Sequence, residues 1–163
     1  MTERVPFDVA AYERRVRAGG CFICAIVAGE PGMEHEELLY DDGLHVAFLS
    51  RYPTVRGYAL VAPRRHVEDV VRDLTSDQYL ALQAVVYRIA RAINEVVPTE
   101  RTYALSLGSM QGNSHVHWHI APLPPGVPYQ QQQFHALMAD NGVIPQSVTE
   151  AAELGAAIRS AIK

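Results

Sequence analysis

His115-Val116-His117-Trp118-His119-Ile120 alternates three imidazoles with three bulky apolar side chains. Alternation of this kind is the pattern of a half-buried strand, because strand side chains repeat every two residues. A strand over residues 115–121 puts His115, His117 and His119 on one face and Val116, Trp118 and Ile120 on the buried one. Three adjacent bases of near-neutral pKa are a poor way to stabilise a sheet, since each needs a hydrogen-bond partner or a ligand once partly buried. The bland reading, an edge strand that happens to carry histidines, leaves both the length of the motif and its company in the chain unexplained.

Outward from this strand the pattern is that of an α+β fold. Strands are expected over residues 37–40, 45–49, 58–62 and 102–107, with Asp42-Gly43 as a turn and Pro53 in a loop. With residues 115–121 they give an antiparallel sheet of about five strands. The longest helix opens at Thr75-Ser76-Asp77-Gln78, which has capping-box spacing, and carries Leu82, Val85, Val86, Ile89, Ile93 and Val96 until Pro98 stops it. An N-terminal helix follows Asp8, with Val9, Tyr12 and Val16 on one face and Gly19 at its end. Beyond the proline-rich passage 122–128, residues 134–139 form one short helix. Ser147 and Glu150 cap another, with Leu154, Ile158 and Ile162 on its stripe. The whole reads as a single domain over 1–163, with a core of about 21–124 and a C-terminal helical extension, 125–163.

The chain has two cysteines, spaced Cys21-Phe22-Ile23-Cys24. A chain of this length builds its core without disulfide staples, and a bond between residues three apart would constrain little. A redox dithiol, half of a zinc site and a pair of plain buried cysteines compete. A thioredoxin-like pair opens a long helix after a strand, whereas this one follows Gly19-Gly20 and precedes only a short apolar run. Zinc fits better. A tetrahedral Cys₂His₂ site needs two imidazoles from elsewhere; the chain offers His66, His115, His117 and His119, besides His35, His45 and His135.

The order C-x-x-C, Ala47-Phe48-Leu49, Pro53, Gly57, Leu60-Val61-x-Pro63-Arg64-Arg65-His66 and the alternating histidines resembles the histidine triad (HIT) superfamily of nucleotide hydrolases and transferases, in particular its bacterial zinc-containing branch. The likeness runs from about Cys21 to about Pro124 and implies a HIT-like fold. It also implies that Cys21, Cys24, His66 and His115 hold zinc. Same-face neighbours on one strand lie about 6.6–6.8 Å apart, so one triad histidine can serve a metal while the others stay free. A closed four-ligand site has no open position for water and is structural. A catalytic His₃ zinc would instead leave both cysteines and His66 without a role.

The resemblance makes His117 the nucleophile, attacking the α-phosphorus of a nucleotide to form a nucleotidyl-histidine. For this one ring nitrogen is unprotonated while the other donates to a fixed acceptor, a main-chain carbonyl in relatives. His119 contacts phosphate oxygens and can manage a proton on the leaving side. Phe48 and Leu49 are expected to line a purine slot, Ser50 to touch ribose, and Asn113 and Ser114 to donate to phosphate from the loop 108–114. Three positions depart from the family pattern: only Asn113-Ser114 separates the loop glycine from His115, Ser50 replaces an Asp or Asn, and Tyr58 replaces a histidine. Serine is shorter and cannot accept a bidentate contact, which predicts altered ribose affinity or nucleoside choice. The loss of the histidine at position 58 fits a chain in which zinc already orients His115.

At 163 residues, 48% hydrophobic, 20% charged and net charge −4, the chain falls in the globular range. No apolar run approaches the roughly 18 residues of a membrane span, and the N-terminus has no signal-peptide core, so a cytoplasmic location without membrane contact is expected. Mild acidity argues against general nucleic-acid binding. The expected partner is a small nucleotide, and the resemblance implies a homodimer. The favoured activity is hydrolysis of adenosine dinucleotide polyphosphates or nucleoside phosphoramidates at the α-phosphorus. Its alternatives are transfer to phosphate or a sugar phosphate, and a non-catalytic, zinc-stabilised nucleotide-binding module.

Overall fold

In the computed structural model, which describes residues 3–33, 36–107 and 113–163, Thr75 opens the longest element. Its side chain accepts the backbone N–H of Gln78 at 3.2 Å, and the Gln78 side chain accepts the N–H of Thr75 at 2.9 Å. Two donors that a helix start leaves orphaned are thus satisfied reciprocally. The helix is the third in chain order, α3 (Ser76–Val96), and buries Leu82, Val85, Val86, Ile89 and Ile93 along one stripe. Ile89 is fully buried, and truncating it to alanine is expected to cost about 2–5 kcal/mol.

α3 lies on a five-stranded antiparallel sheet of β1 (Leu38–Asp41), β2 (His45–Leu49), β3 (Ala59–Pro63), β4 (Arg101–Leu105) and β5 (Trp118–Leu123). Its order is β1-β2-β3-β5-β4. The α+β class and the strand count agree with the sequence reading, and most boundaries shift by a residue or two. The important shift is in β5, which begins at Trp118 instead of residue 115. Ahead of it the chain leaves the ladder: the Val116 N–H bonds the Val67 carbonyl at 2.7 Å, and the His115 ring turns to the Pro63 carbonyl.

Both faces of β2 and β3 are buried, and alternation sorts their side chains. Ala47, Leu49 and Val61 join Trp118 and Ile120 in the core beneath α3. Val46, Phe48, Leu60 and Ala62 face the other way and pack on Ile23 and Ile26. Those two residues belong to α2 (Phe22–Ala28), a helix that the pattern does not announce because seven nearly all-apolar residues carry no periodicity. Cys21 caps it, with Sγ accepting the Cys24 N–H at 3.4 Å, and Gly29 closes it in the left-handed region at φ 63°.

α1 (Val9–Ala18) starts at Asp8 and ends at Gly19, as the caps predict. In the C-terminal extension α4 (Gln132–Leu137) begins two residues before the expected position, after a 3₁₀ turn at Tyr129–Gln131. α5 (Val148–Ala161) carries the Ser147/Glu150 capping box and buries Leu154 and Ile158. Arg159 of α5 pairs with Glu37 and donates to the Leu38 carbonyl at 2.6 Å, which ties the extension to the sheet edge. The Arg4 side chain donates to the His135 carbonyl at 2.8 Å, joining the N-terminal segment to α4.

Candidate functional site

The register across the sheet sets the site. Phe48 of β2 pairs with Leu60 of β3, which pairs with His119 of β5, so the three stand on one face in one row. Leu49 pairs with Ala59 and belongs to the opposite face, where it sits in the α3 core and not in the expected purine slot. The correction follows from the strand period: the neighbour of a cavity residue on the same strand points away from the cavity.

Between this face, α1 and α2 opens a cavity of about 460 Å³ lined by Phe48, Ser50, Tyr58, Asn113, His117 and His119, among others. His117 and His119 meet edge to face with ring centroids 4.8 Å apart. The Nδ1 of His117 lies 2.6 Å from the His115 carbonyl oxygen. A carbonyl can only accept, so Nδ1 carries the proton and Nε2 keeps its lone pair. Burial lowers the His117 pKa, only partly offset by that bond, so the ring is neutral near pH 7.

His119 meets the Tyr58 hydroxyl at 2.9 Å through Nδ1. Burial pushes the Tyr58 pKa up, and burial together with His117 pushes His119 down to about 3. Both groups are therefore neutral. An imidazole lone pair is a better acceptor than a phenol oxygen, so the hydroxyl donates to Nδ1 and His119 bears its proton on Nε2. Tyr58 thus serves the third histidine, and its departure from the family pattern bears on His119 and not on His115.

The first histidine belongs to a different cluster. The ligand atoms of Cys21, Cys24, His66 and His115 all lie within 4.8 Å of one another. The Nδ1 of His115 is 3.3 Å from Cys21 Sγ and 3.6 Å from Cys24 Sγ, and the Nδ1 of His66 is 3.3 Å from Cys24 Sγ. The Nε2 of His115 donates to the Pro63 carbonyl at 2.8 Å, which leaves Nδ1 unprotonated toward the sulfurs. The Nε2 of His66 meets Glu68 at 3.1 Å. Burial and Cys21 alongside push the Cys24 thiol up to about 11. For Cys21 burial acts in the same sense, but hydrogen bonds from the Cys24 N–H and Asn113 outweigh it and lower the pKa. Two sulfurs, two oriented imidazole nitrogens and an anchored outer shell fit a tetrahedral Zn²⁺.

Asn113 and Ser114 are the phosphate donors expected from the sequence. Asn113 does line the cavity, yet its amide donates to Cys21 Sγ at 3.2 Å. Ser114 is placed elsewhere: its hydroxyl donates to Glu68 at 2.9 Å, and it does not line the cavity. The preceding residues 108–112 of that loop lie outside the described residues. Sequence reasoning missed Glu68 and the α1 wall; the position of Glu68 two residues after His66 was the available signal.

The sequence model of the HIT domain matches residues 32–125, more than half of the chain. The chain belongs to the HIT domain family. Among similar HIT proteins is an uncharacterized HIT-like protein of Mycobacterium tuberculosis, 36% identical over 106 residues, which are 63% of this chain and 70% of that protein. An adenosine 5'-monophosphoramidase of Schizosaccharomyces pombe is 31% identical over 107 residues, 64% of this chain and 74% of the relative. The crystal structure of a zinc-bound histidine triad family protein from Mycobacterium smegmatis superposes with a TM-score of 0.64 at 24% identity, over 88% of this chain and 93% of that one, and shows the shared fold. Within this HIT protein the cysteines and α1 precede the matched domain, while His66 and all three triad histidines lie inside it.

Proposed function

We propose that this HIT protein is a nucleotide hydrolase that cleaves adenosine dinucleotide polyphosphates or nucleoside phosphoramidates at the α-phosphorus through a nucleotidyl-His117 intermediate. The supporting observation is the bond from His117 Nδ1 to the His115 carbonyl at 2.6 Å, which fixes the tautomer with a nucleophilic Nε2 in a lined cavity. Nε2 attacks phosphorus, a P–N bond forms, and the bond to the leaving group breaks with its electron pair going to the leaving atom. The Nε2–H of His119 hydrogen-bonds the departing atom or a phosphate oxygen and stays on the neutral ring, while a leaving group that needs a proton takes it from solvent. Water then attacks phosphorus and releases its proton to solvent, the P–N bond breaks with its electron pair returning to Nε2, and His117 is left in its starting tautomer with a nucleoside monophosphate released. Phe48 receives the base and Ser50 the ribose. The phosphoramidase activity for which the Schizosaccharomyces pombe relative is named supports the same reading.

Cys21, Cys24, His66 and His115 would hold a structural zinc, as the donor set allows, and the zinc-bound state of the Mycobacterium smegmatis protein supports it. Bound there, the metal supplies a rigid cross-link between α2 and the strand that carries the nucleophile. The working form is a homodimer; among the described residues β4 lies at the sheet edge with β5 on one side only, which leaves a ladder on which a second copy could build. No helix among the described residues is long and apolar enough to cross a membrane.

The test of the reaction is intact-mass spectrometry of wild type and His117→Ala after brief incubation with adenosine phosphoramidate and diadenosine tetraphosphate. The quench uses alkaline denaturant, in which a phosphorus–nitrogen bond survives. An adenylyl adduct on wild type alone, with AMP appearing later, is expected. Absence of both adduct and AMP from a folded, metal-loaded protein would overturn the hydrolase reading.

A further inference from the structure

Two separate aromatic groups line the cavity. Phe22 and Phe48 meet edge to face at 6.2 Å on the side of the sheet and α2. A second aromatic group stands on the wall made by α1 and the β2–β3 connection. There Phe7 lies 5.0 Å from Tyr52 and 5.5 Å from Tyr12, and Tyr12 lies 5.7 Å from Tyr52, between ring centroids. Among the described residues no ring contact joins the two groups, yet both line the same space as His117 and His119.

The α1 wall also brings cationic charge. Arg15, one helical turn after Tyr12, lines the cavity, is exposed and has no acidic partner among the described residues. Arg51 lines it too, held 2.6 Å from Glu36. An open cavity of about 460 Å³ is within the range of small-molecule sites. Aromatic faces stack on bases of any identity, and a guanidinium suits phosphate oxygens.

We infer that the α1 wall, through Tyr12, Phe7, Tyr52 and Arg15, is a leaving-group subsite that takes a planar group tethered by a phosphate chain, so that the preferred substrate is a dinucleoside polyphosphate and not a phosphoramidate. The inference rests on the hydrolase reading for its orientation: the transferred nucleoside lies on Phe48, its α-phosphorus at His117, and the departing nucleotide extends along α1. Phe7, Tyr12 and Arg15 precede the stretch matched by the HIT domain, so this specificity would be built by sequence outside that domain.

The experiment compares kcat/KM for diadenosine tetraphosphate and adenosine phosphoramidate in wild type, Arg15→Ala and Tyr12→Leu. Each substitution is expected to lower the dinucleotide-to-phosphoramidate ratio about tenfold, the size of one lost charge-assisted or stacking contact. An unchanged ratio, whether both rates fall together or neither does, overturns the subsite. Binding is measured separately in His117→Ala, which cannot turn over, by titration with diadenosine tetraphosphate and with AMP. Tighter binding of the dinucleotide that is lost on adding Arg15→Ala supports the subsite even if wild type hydrolyses neither substrate, in which case the hydrolase reading alone falls. Equal affinity for the two ligands sinks the subsite whatever the turnover.

Discussion

His115 serves His117 through its main chain and the cysteines through its ring. Its carbonyl oxygen accepts the Nδ1–H of His117 at 2.6 Å, while its own Nδ1 faces Cys21 Sγ at 3.3 Å. A displacement of His115 at the cysteine cluster is therefore carried through its carbonyl to the proposed nucleophile two residues on. Because the packed interior transmits strain, the proposed zinc site and the proposed reaction centre would respond as one mechanical unit.

Metal removal should therefore act on the fold first. Stripping zinc with a chelator, or replacing Cys24 by Ser, is expected to lower Tm by on the order of 10 °C, with activity falling in parallel. Differential scanning calorimetry beside a rate assay checks this. Loss of activity at unchanged Tm would mean that the metal is catalytic.

Asn113 offers a gentler perturbation of the same cluster. Its amide donates to Cys21 Sγ at 3.2 Å and ligates nothing. Partners of metal ligands commonly contribute 10–100-fold to affinity, so Asn113→Ala is expected to weaken zinc retention by roughly that factor. Competition with a coloured chelator reads it directly; unchanged retention would show that the bond has no bearing on the metal.

Much of this was legible in the chain because periodicity and caps are local. Thr75/Gln78 and Ser147/Glu150 form the boxes their spacing announced, and Val116, Trp118 and Ile120 reach the α3 core. The four proposed zinc ligands, separated by up to 94 positions, come together as the family resemblance implied. What escaped depends on register and on packing at a distance. That Leu49 faces away from Phe48 needed only the strand period, but which of the two meets the cavity was decided by the pairing of Phe48 with Leu60 and His119. No local pattern marks α2, and none says that the Tyr58 hydroxyl ends on His119 instead of near His115.

Tyr58→Phe tests the role assigned to that hydroxyl as a positioning group. The ring still fills its place, but Nδ1 of His119 loses its donor and both tautomers become available. An expected fall in kcat of about tenfold with little change in KM corresponds to losing one hydrogen bond that matters in the transition state. Imidazole ¹⁵N shifts give a readout that a packing defect alone would not move: wild type should show His119 protonated at Nε2, and the variant a mixture. A single unchanged tautomer in the variant would remove Tyr58 from the mechanism.

The depressed pKa of His119 makes stability depend on pH in a defined sense. Burial holds its folded-state value at about 3, against an ordinary value of 6.5, so between these limits the unfolded chain binds a proton that the folded one refuses. The group's contribution is full above about pH 6.5 and is lost progressively as pH falls toward 3, by at most about 1.4 kcal/mol for each pH unit crossed. Replacing His119 by Gln keeps a polar side chain of similar reach and removes the titration. Denaturant unfolding of wild type from pH 7 to pH 4.5 should show stability falling with a slope that is smaller by up to one proton in His119→Gln. Parallel curves for the two proteins would mean that His119 titrates alike in both states, and that the ring is not held neutral by burial.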